Sequence, residues 1–467
     1  MASSNGPVGS TELLLEIDRA GEAPLHEQVE RAVRDAVRGG RLAPGTRLPS
    51  TRALAAELGV SRGVVTEAYG QLAAEGYLLT RQGAPVRVAR AVRPPRQQPA
   101  SPSLRPAHRY RFDPTLPDVA GFPRDHWLRS LRFAWRQAPI DAIGYPDPRG
   151  LPALRQSLAD YLGRARGAAA DPEQILVCTG FTQAFSLLCR WLAERGIGEI
   201  ALEDPSWHRQ RLVAEQAGLR VVPVAVDDEG IDVEALTASG ASAVVVTPAH
   251  QFPTGRVLGS ERRAALIEWA EAGEGLIVED DFDAEYRYDR AGVGALQGLA
   301  PERIAYIGSA SKRLAPGIRL GWALLPSWLA WQLTPAKQLA DAGSEVVGQL
   351  ALHDFIERGE LDRHIRRTRL RYQRRREALL RALARWLPGA EVGDGAAGLF
   401  ELVRLPAGTD ESALASRAAA LGVGVETLGL HRFAASGDPG LVLGFGCLPE
   451  PAIERGVRLL GQAVAES

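Results

Sequence analysis

The chain has 467 residues, 45% hydrophobic and 24% charged, with a formal net charge of −1. That length suits about three domain-sized units, or one small and one large. The composition is that of a globular protein with no apolar run long enough to span a membrane. The cysteines Cys178, Cys189 and Cys447 offer neither a disulfide framework nor zinc-ligand spacing, so no metal is expected. The N-terminus MASSNGPVGSTE lacks a basic-then-apolar leader, so the expected location is the cytoplasm.

Charge is unevenly placed. Between Arg19 and Arg96 thirteen arginines stand against seven acidic residues, an excess of six positive charges. A basic segment on a near-neutral chain suits a polyanionic partner, although ordinary surface variation gives a similar excess. Leu25–Arg38 places Leu25, Val29, Val33 and Val37 at helical spacing, and Gly39-Gly40 stops the helix. Leu42–Leu48 reads as a turn built by Pro44-Gly45. Ser50 or Thr51 caps a short helix over Arg52–Leu58, which Gly59 ends. Ser61 caps a second, from Arg62 to about Ala74. Two short helices across a tight glycine turn form a helix-turn-helix, with Leu54, Leu58, Val60, Val65, Tyr69 and Leu72 turned inward. Leu78–Val88 follows as strand, Gly-Ala-Pro turn and strand, which is a wing.

In such a unit the second helix enters the major groove by its first turn. Arg62 can fork onto guanine there, and Gly63 permits close backbone approach. Arg52 can reach phosphate or base, and Gln82 with Gly83 at the wing tip can enter the minor groove. A small helical dimerisation or docking domain is the competing reading. The stretch from Pro24 to Leu78 resembles the winged helix-turn-helix of the GntR family of bacterial regulators, most specifically in LPSTRALAAELGVSRGVV and LAAEGYL. The resemblance covers about residues 24–88 of a unit expected over 12–90. It implies DNA contacts by Arg52, Arg62, Gly63, Gln82 and Gly83. Residues 91–108, rich in Pro, Arg, Gln and Ser, lack apolar periodicity and read as a flexible tether between separately folded units.

The large unit is expected over 109–467, with a small C-terminal subdomain over about 350–467. Gly144–Leu162 gives a polar turn and then a helix with Leu154, Leu158 and Leu162 on one side. Short apolar strands recur at Ile175–Thr179, Glu199–Leu202, Val221–Val224, Ala243–Val246, Leu276–Val278 and Ile304–Ile307, several separated by helical patterns. This is α/β alternation with a mostly parallel sheet, which places ligands at the strands' C-terminal ends. Those ends carry Gly180-Phe181-Thr182, Glu203–Trp207, Thr247–Gly255, Glu279–Asp283 and the loop GSASKRLAPGIRLG at Gly308–Gly321.

Of 55 basic residues only Lys312 and Lys337 are lysines. Arginine serves wherever a plain positive charge suffices, so Lys312 is a candidate for chemistry that needs a deprotonatable amine. Small hydroxyl residues and Arg319 surround it, as the phosphate of an aldehyde cofactor such as pyridoxal phosphate requires; a surface lysine in a polar loop is the plainer alternative. A pyridine ring also needs a carboxylate near its nitrogen, an aromatic on its face, donors at its phenolic oxygen and a phosphate cradle. Asp280, Trp207, Gln251 with His250, and the Gly180–Thr182 helix start with Ser309 and Arg319 can fill these places in turn. Singly, each also suits a cap, a packing residue or a solvated side chain.

The motifs TPAHQFPTG, EDDFDAEYRY, YIGSASKRLAPGIRLGW and YPDPRGLPALR resemble the fold-type-I aminotransferases, and specifically the MocR subfamily of GntR regulators, over nearly the whole chain. The resemblance implies a winged helix-turn-helix joined to a large pyridoxal-phosphate transferase-like domain of the aspartate aminotransferase kind. It implies Lys312 as the Schiff-base lysine, Asp280 at the ring nitrogen and Trp207 stacked on the ring. Arg319, Ser309 and the Gly180-Phe181-Thr182 turn would hold the phosphate, with Gln251 near the ring. Tyr145 would reach the phosphate from a second copy, so a homodimer is implied. Partners would be double-stranded DNA, pyridoxal phosphate and an amine or amino-acid effector, in a transcription regulator tied to vitamin B6 metabolism; a working aminotransferase is the alternative. Three residues depart from the pattern. Phe282 stands where a Tyr is common. Val442, in GLVLGF, stands where transaminases carry the carboxylate-binding Arg. The wing turn is Gly-Ala-Pro-Val rather than Gly-Ser-Gly-Thr. Arg209 and Arg432 are the candidate substitute anion binders, and the arginines of Arg363–Arg376 suit either a solvated face with ion pairs or a second DNA contact.

Overall fold

The computed structural model describes residues 17–81, 83–89, 108–288, 292–393, 395, 397–434 and 437–465. The chain divides into two compact units, Met1–Pro106 and Ala107–Ser467. Gln82 and nearly all of the expected tether lie outside the described residues.

The first unit holds α1 (Leu25–Arg38), α2 (Thr51–Leu58), α3 (Arg62–Ala74) and the wing strands β1 (Leu78–Leu79) and β2 (Arg87–Val88). Ser50 Oγ accepts from the Ala53 amide at 3.2 Å and Ser61 Oγ from the Val64 amide at 3.4 Å, so both helix starts are capped as the sequence predicts. Gly59, at φ 62°, makes the left-handed turn between α2 and α3. Val29, Val33, Leu54, Val65, Tyr69 and Leu72 fill the core, with Leu58 and Val60 packed at its rim. Arg34 pairs with Glu75 at 2.8 Å and ties α1 to the end of α3. One expectation needs correction. The stretch read as a plain turn continues into the wing: Leu48 donates to the Val86 carbonyl and the Val88 amide to the Thr46 carbonyl, both at 2.9 Å. Pro44-Gly45 reverses the chain, and the residues after it satisfy backbone groups that β2 would otherwise leave open.

In the second unit the strands are β3 (Tyr110–Arg111), β4 (Ile175–Cys178), β5 (Glu199–Asp204), β6 (Arg220–Asp227), β7 (Gly230–Ile231), β8 (Ala243–Val246), β9 (Leu276–Asp281), β10 (Ile304–Ser309), β11 (Gly321–Leu324), β12 (Glu391–Val392), β13 (Phe400–Arg404), β14 (Val423–Gly424), β15 (Glu426–Thr427) and β16 (Gly440–Gly444). Eight form one sheet in the order β4-β11-β10-β9-β8-β5-β6-β7. The run β10-β9-β8-β5-β6 is parallel, while β11 lies antiparallel between β4 and β10. Both faces are covered, and β4 shows how. Leu176 and Cys178 pack with Phe185 and Leu188 on one side, Ile175 and Val177 with Leu158 and Trp322 on the other. Burial pushes the Cys178 and Cys189 thiols up to about 12, which suits packing rather than nucleophilic chemistry.

A second sheet, β12-β13-β16-β15, lies near the C-terminus, flanked in sequence by the helices Glu360–Trp386 and Glu450–Ala465. The start of the unit joins this region, because β3 pairs in parallel with β14. The arginines of the long helix are largely engaged: Arg371 and Arg375 with Asp118, Arg376 with Glu401, and Arg363 with Glu360. They form ion pairs that hold the helix to its neighbours. No described helix is long and apolar enough to cross a membrane.

Candidate cofactor cleft and nucleic-acid interface

The parallel strands deliver their C-terminal ends to one edge of the sheet. In register, Ile307 faces Asp280, Gly308 faces Asp281, and Ser309 faces Gly321. Lys312 follows within the short helix Ala310–Arg313. Its Nζ donates to the Thr115 carbonyl. Burial lowers its pKa from the usual lysine value, against the opposing pull of Asp113, Asp283, Asp280 and Glu426. An amine so placed reaches its neutral, nucleophilic form more readily.

Asp280 is buried on β9, and Gln210 Nε2 donates to its Oδ2 at 3.0 Å. Burial, reinforced by the adjacent Asp281, pushes its carboxyl up to about 8, while Gln210 and Lys312 pull the other way. A carboxylate held this far from its ordinary range wants a cation, and a protonated pyridine nitrogen is one.

The phosphate end is built by close approach. Gly180 has φ 124° and starts the helix Phe181–Glu194, where no side chain caps the first amides. A Cβ on Gly321 would lie 2.6 Å from Gly180 Cα, and one on Gly180 would lie 3.6 Å from both Arg319 Nη atoms. So β11, the helix start and the Arg319 guanidinium converge on one small space, with open helix amides beneath it. Thr182 is exposed at that start and Ser309 is buried beside it. The Phe181 ring packs against Phe185, centroids 5.4 Å apart, and edge-on to Trp207 at 6.1 Å, so only its backbone faces the cradle. Trp207 lies against an apolar cluster of Phe252, Phe400, Leu402, Leu428 and Val442, joined by Phe282. These features fit pyridoxal phosphate: an acid lacking a cation, an open helix start under an arginine, and an aromatic wall between them.

Two expectations change. Gln251 is not free to donate to a ring oxygen: its Nε2 is shared among Glu203, the Pro205 carbonyl and the Phe252 carbonyl, and its Oε1 accepts from Thr254. It builds the loop, because a buried amide must satisfy its polar atoms locally. Tyr145 is 92% exposed and outside the cleft of its own chain. The residues that sequence reasoning missed surround the cleft. His250 Nδ1 lies 3.1 Å from both Asp283 oxygens. Arg166 and Arg313 meet Asp281 and Glu285 in a buried charge network beneath Lys312. The runs EDDFDAE and SKR hold most of it in sequence, but only the fold brings in Arg166.

In the first unit Arg52, Arg62 and Gly63 are all exposed at the starts of α2 and α3. Arg62 Nε lies 3.4 Å from Thr51 Oγ1, which links the two helix starts. A Cβ on Gly63 would meet only Ser61 Oγ, at 3.6 Å, so the unit itself does not need glycine there. Gly83 has φ +77° at the wing tip, a conformation that does favour glycine.

This cleft and this head together define a fold-type-I pyridoxal-phosphate protein carrying a DNA-binding domain. Residues 129–425 match the family described as aminotransferase class I and II, and residues 25–88 match the bacterial regulatory proteins of the gntR family. The chain is 31% identical to the probable rhizopine catabolism regulatory protein MocR of Rhizobium meliloti, covering 96% of each. It is 32% identical to the pyridoxine biosynthesis transcriptional regulator PdxR of Corynebacterium glutamicum, covering 94% of this chain and 95% of that one. Among solved structures, an archaeal alanine:glyoxylate aminotransferase superposes with a TM-score of 0.72 at 27% identity, over 77% of this chain and 91% of that one. The chain belongs to the MocR subfamily of GntR transcriptional regulators.

Proposed function

We propose that this regulator couples occupancy of the Lys312 cleft to DNA binding by the N-terminal head, with pyridoxal phosphate or an amine that reacts with it as the signal. The observation that carries this is the buried Asp280 carboxyl, pushed up to about 8 beside the pKa-lowered amine of Lys312. The cofactor supplies an aldehyde and an electron-withdrawing ring. Lys312 holds the aldehyde carbon, Asp280 holds the proton on the ring nitrogen, and Trp207 covers a ring face. Arg319, Ser309, Thr182 and the amides of Gly180 and Phe181 bind the phosphate. Arg52, Arg62, Gly63, Gln82 and Gly83 are the DNA contacts.

The working form is a cytoplasmic homodimer. Tyr145, Ile140 and Leu339 are each at least 88% exposed, an unusual outlay of apolar surface for a lone chain, and Tyr145 reaches the phosphate of a second copy. Ligand binding acts on DNA by favouring one spacing of the two heads, which requires different affinities for the two dimer shapes. Regulation is favoured over turnover because Val442 leaves a substrate carboxylate without an arginine fork. The relative named for pyridoxine biosynthesis makes vitamin B6 supply the first promoter to examine. Borohydride reduction with pyridoxal phosphate should label Lys312 in the wild type and leave K312A unlabelled. Promoter binding should then differ between loaded and unloaded protein. A wild type that takes no label at Lys312 removes the proposal.

A further inference from the structure

The position vacated by the carboxylate-binding arginine is not merely empty of positive charge. Val442 on β16 lies directly between Leu402 on β13 and Glu426 on β15. Residues opposite one another in antiparallel strands project from the same face, so the three side chains form one row. Val442 is fully buried, and with Leu402 it belongs to the apolar cluster that includes Trp207 and Phe282 beside the cleft. The row therefore faces the cleft, and its outermost member is a carboxylate. Glu426 is close enough to Lys312 to act on that amine, though its side chain is 30% exposed. Asp113 and Asp283 add negative charge around the same amine.

A second observation marks the row's end as a binding place. The His431 side chain is wholly buried, and neither ring nitrogen makes a hydrogen bond among the described residues. Its Nε2 points at Glu426 Oε2 from 3.2 Å, off the angle of a hydrogen bond, and that oxygen is also unpartnered. His208, with an unpartnered buried Nδ1, stands 5.4 Å from it, ring to ring. Buried polar atoms without partners are rare in native proteins and commonly await something that supplies them.

We infer that the effector is a small primary amine carrying a second cationic group and no carboxylate: one amine directed to the Lys312 site, and the distal ammonium or guanidinium on Glu426. This rests on the cofactor reading above and narrows its ligand. A distal carboxylate would meet a buried valine and a like charge, losing the bidentate bond and adding repulsion. A distal cation finds a carboxylate whose free oxygen accepts it.

The test uses full-length protein loaded with pyridoxal phosphate, the loading verified by absorbance. Calorimetry then compares three four-carbon amines that differ at one end: 1,4-diaminobutane, butylamine and 4-aminobutyrate. The diamine should bind about tenfold more tightly than butylamine, the step expected of one charge-assisted hydrogen bond, and 4-aminobutyrate should bind weakest. In E426Q, checked for folding by circular dichroism, the diamine advantage should shrink toward onefold. The inference is overturned if 4-aminobutyrate matches or exceeds the diamine, if no diamine binding is detected, or if E426Q keeps the wild-type ranking. Protein that fails to load loses the cofactor reading as well; loaded protein with the wrong ranking loses only this one.

Discussion

Substituting Gly321 by alanine probes the phosphate cradle with a single methyl group. The new Cβ would lie 2.6 Å from Gly180 Cα and 3.0 Å from both the Gly180 nitrogen and the Gly308 oxygen, where ordinary contact begins at 3.4 Å. All three neighbours are backbone, so no side chain can swing aside. Gly308 is held in β10 between β9 and β11, whereas Gly180 sits in a turn. The turn is the part that yields, and it carries the amides that face the phosphate. Overpacking of this kind costs about 1–3 kcal/mol. If most of that falls on the turn, affinity for pyridoxal phosphate drops on the order of 10–100-fold, at about 1.4 kcal/mol per tenfold. G163A is the control: its Cβ meets only the Ala168 carbonyl, at 3.7 Å, within a helix. Absorbance titration of both variants with the cofactor, alongside thermal unfolding, reads the difference. A folded G321A that binds pyridoxal phosphate as tightly as G163A would refute the cradle.

Other consequences are open to measurement. Arg62→Ala should weaken operator binding by about 1–3 kcal/mol in a mobility-shift titration. G63A, which the unit has room for, should keep its melting temperature and lose DNA affinity; unchanged binding in either variant would remove the groove assignment. Asp280, raised to about 8, binds a proton in the folded chain that the unfolded chain releases near its ordinary value. Cofactor-free protein should therefore lose stability as pH rises from about 4 toward 8, a loss that D280N should reduce in urea titrations. Glu203, Glu279 and Glu401, each pushed by burial to about 7, add the same trend and remain in that variant. Removing Arg313 leaves Glu285 buried without its cation, so R313A should cost about 3–5 kcal/mol in the same titration. R164A, which breaks an exposed pair with Asp362, should cost under about 1 kcal/mol.

Much of the architecture could be read along the chain because its signals are local. Two capped helices around Gly59, short apolar runs separated by helical patterns, and one lysine of two set among hydroxyls each act through neighbours a few residues away. That was enough to place the head, the parallel strands and Lys312. Other features are pairings between distant segments, and only the tertiary structure decided them. β11 passes antiparallel between β4 and β10 and brings Gly321 against Gly180. Arg166 arrives from more than a hundred residues away to meet Asp281. Gln251 spends its amide inside its own loop. Glu426 comes to lie beside Val442 through strand register alone. Hydrophobic periodicity reports which face of a segment is buried; it does not report which other segment lies across from it, and in this cleft that partner sets the charge.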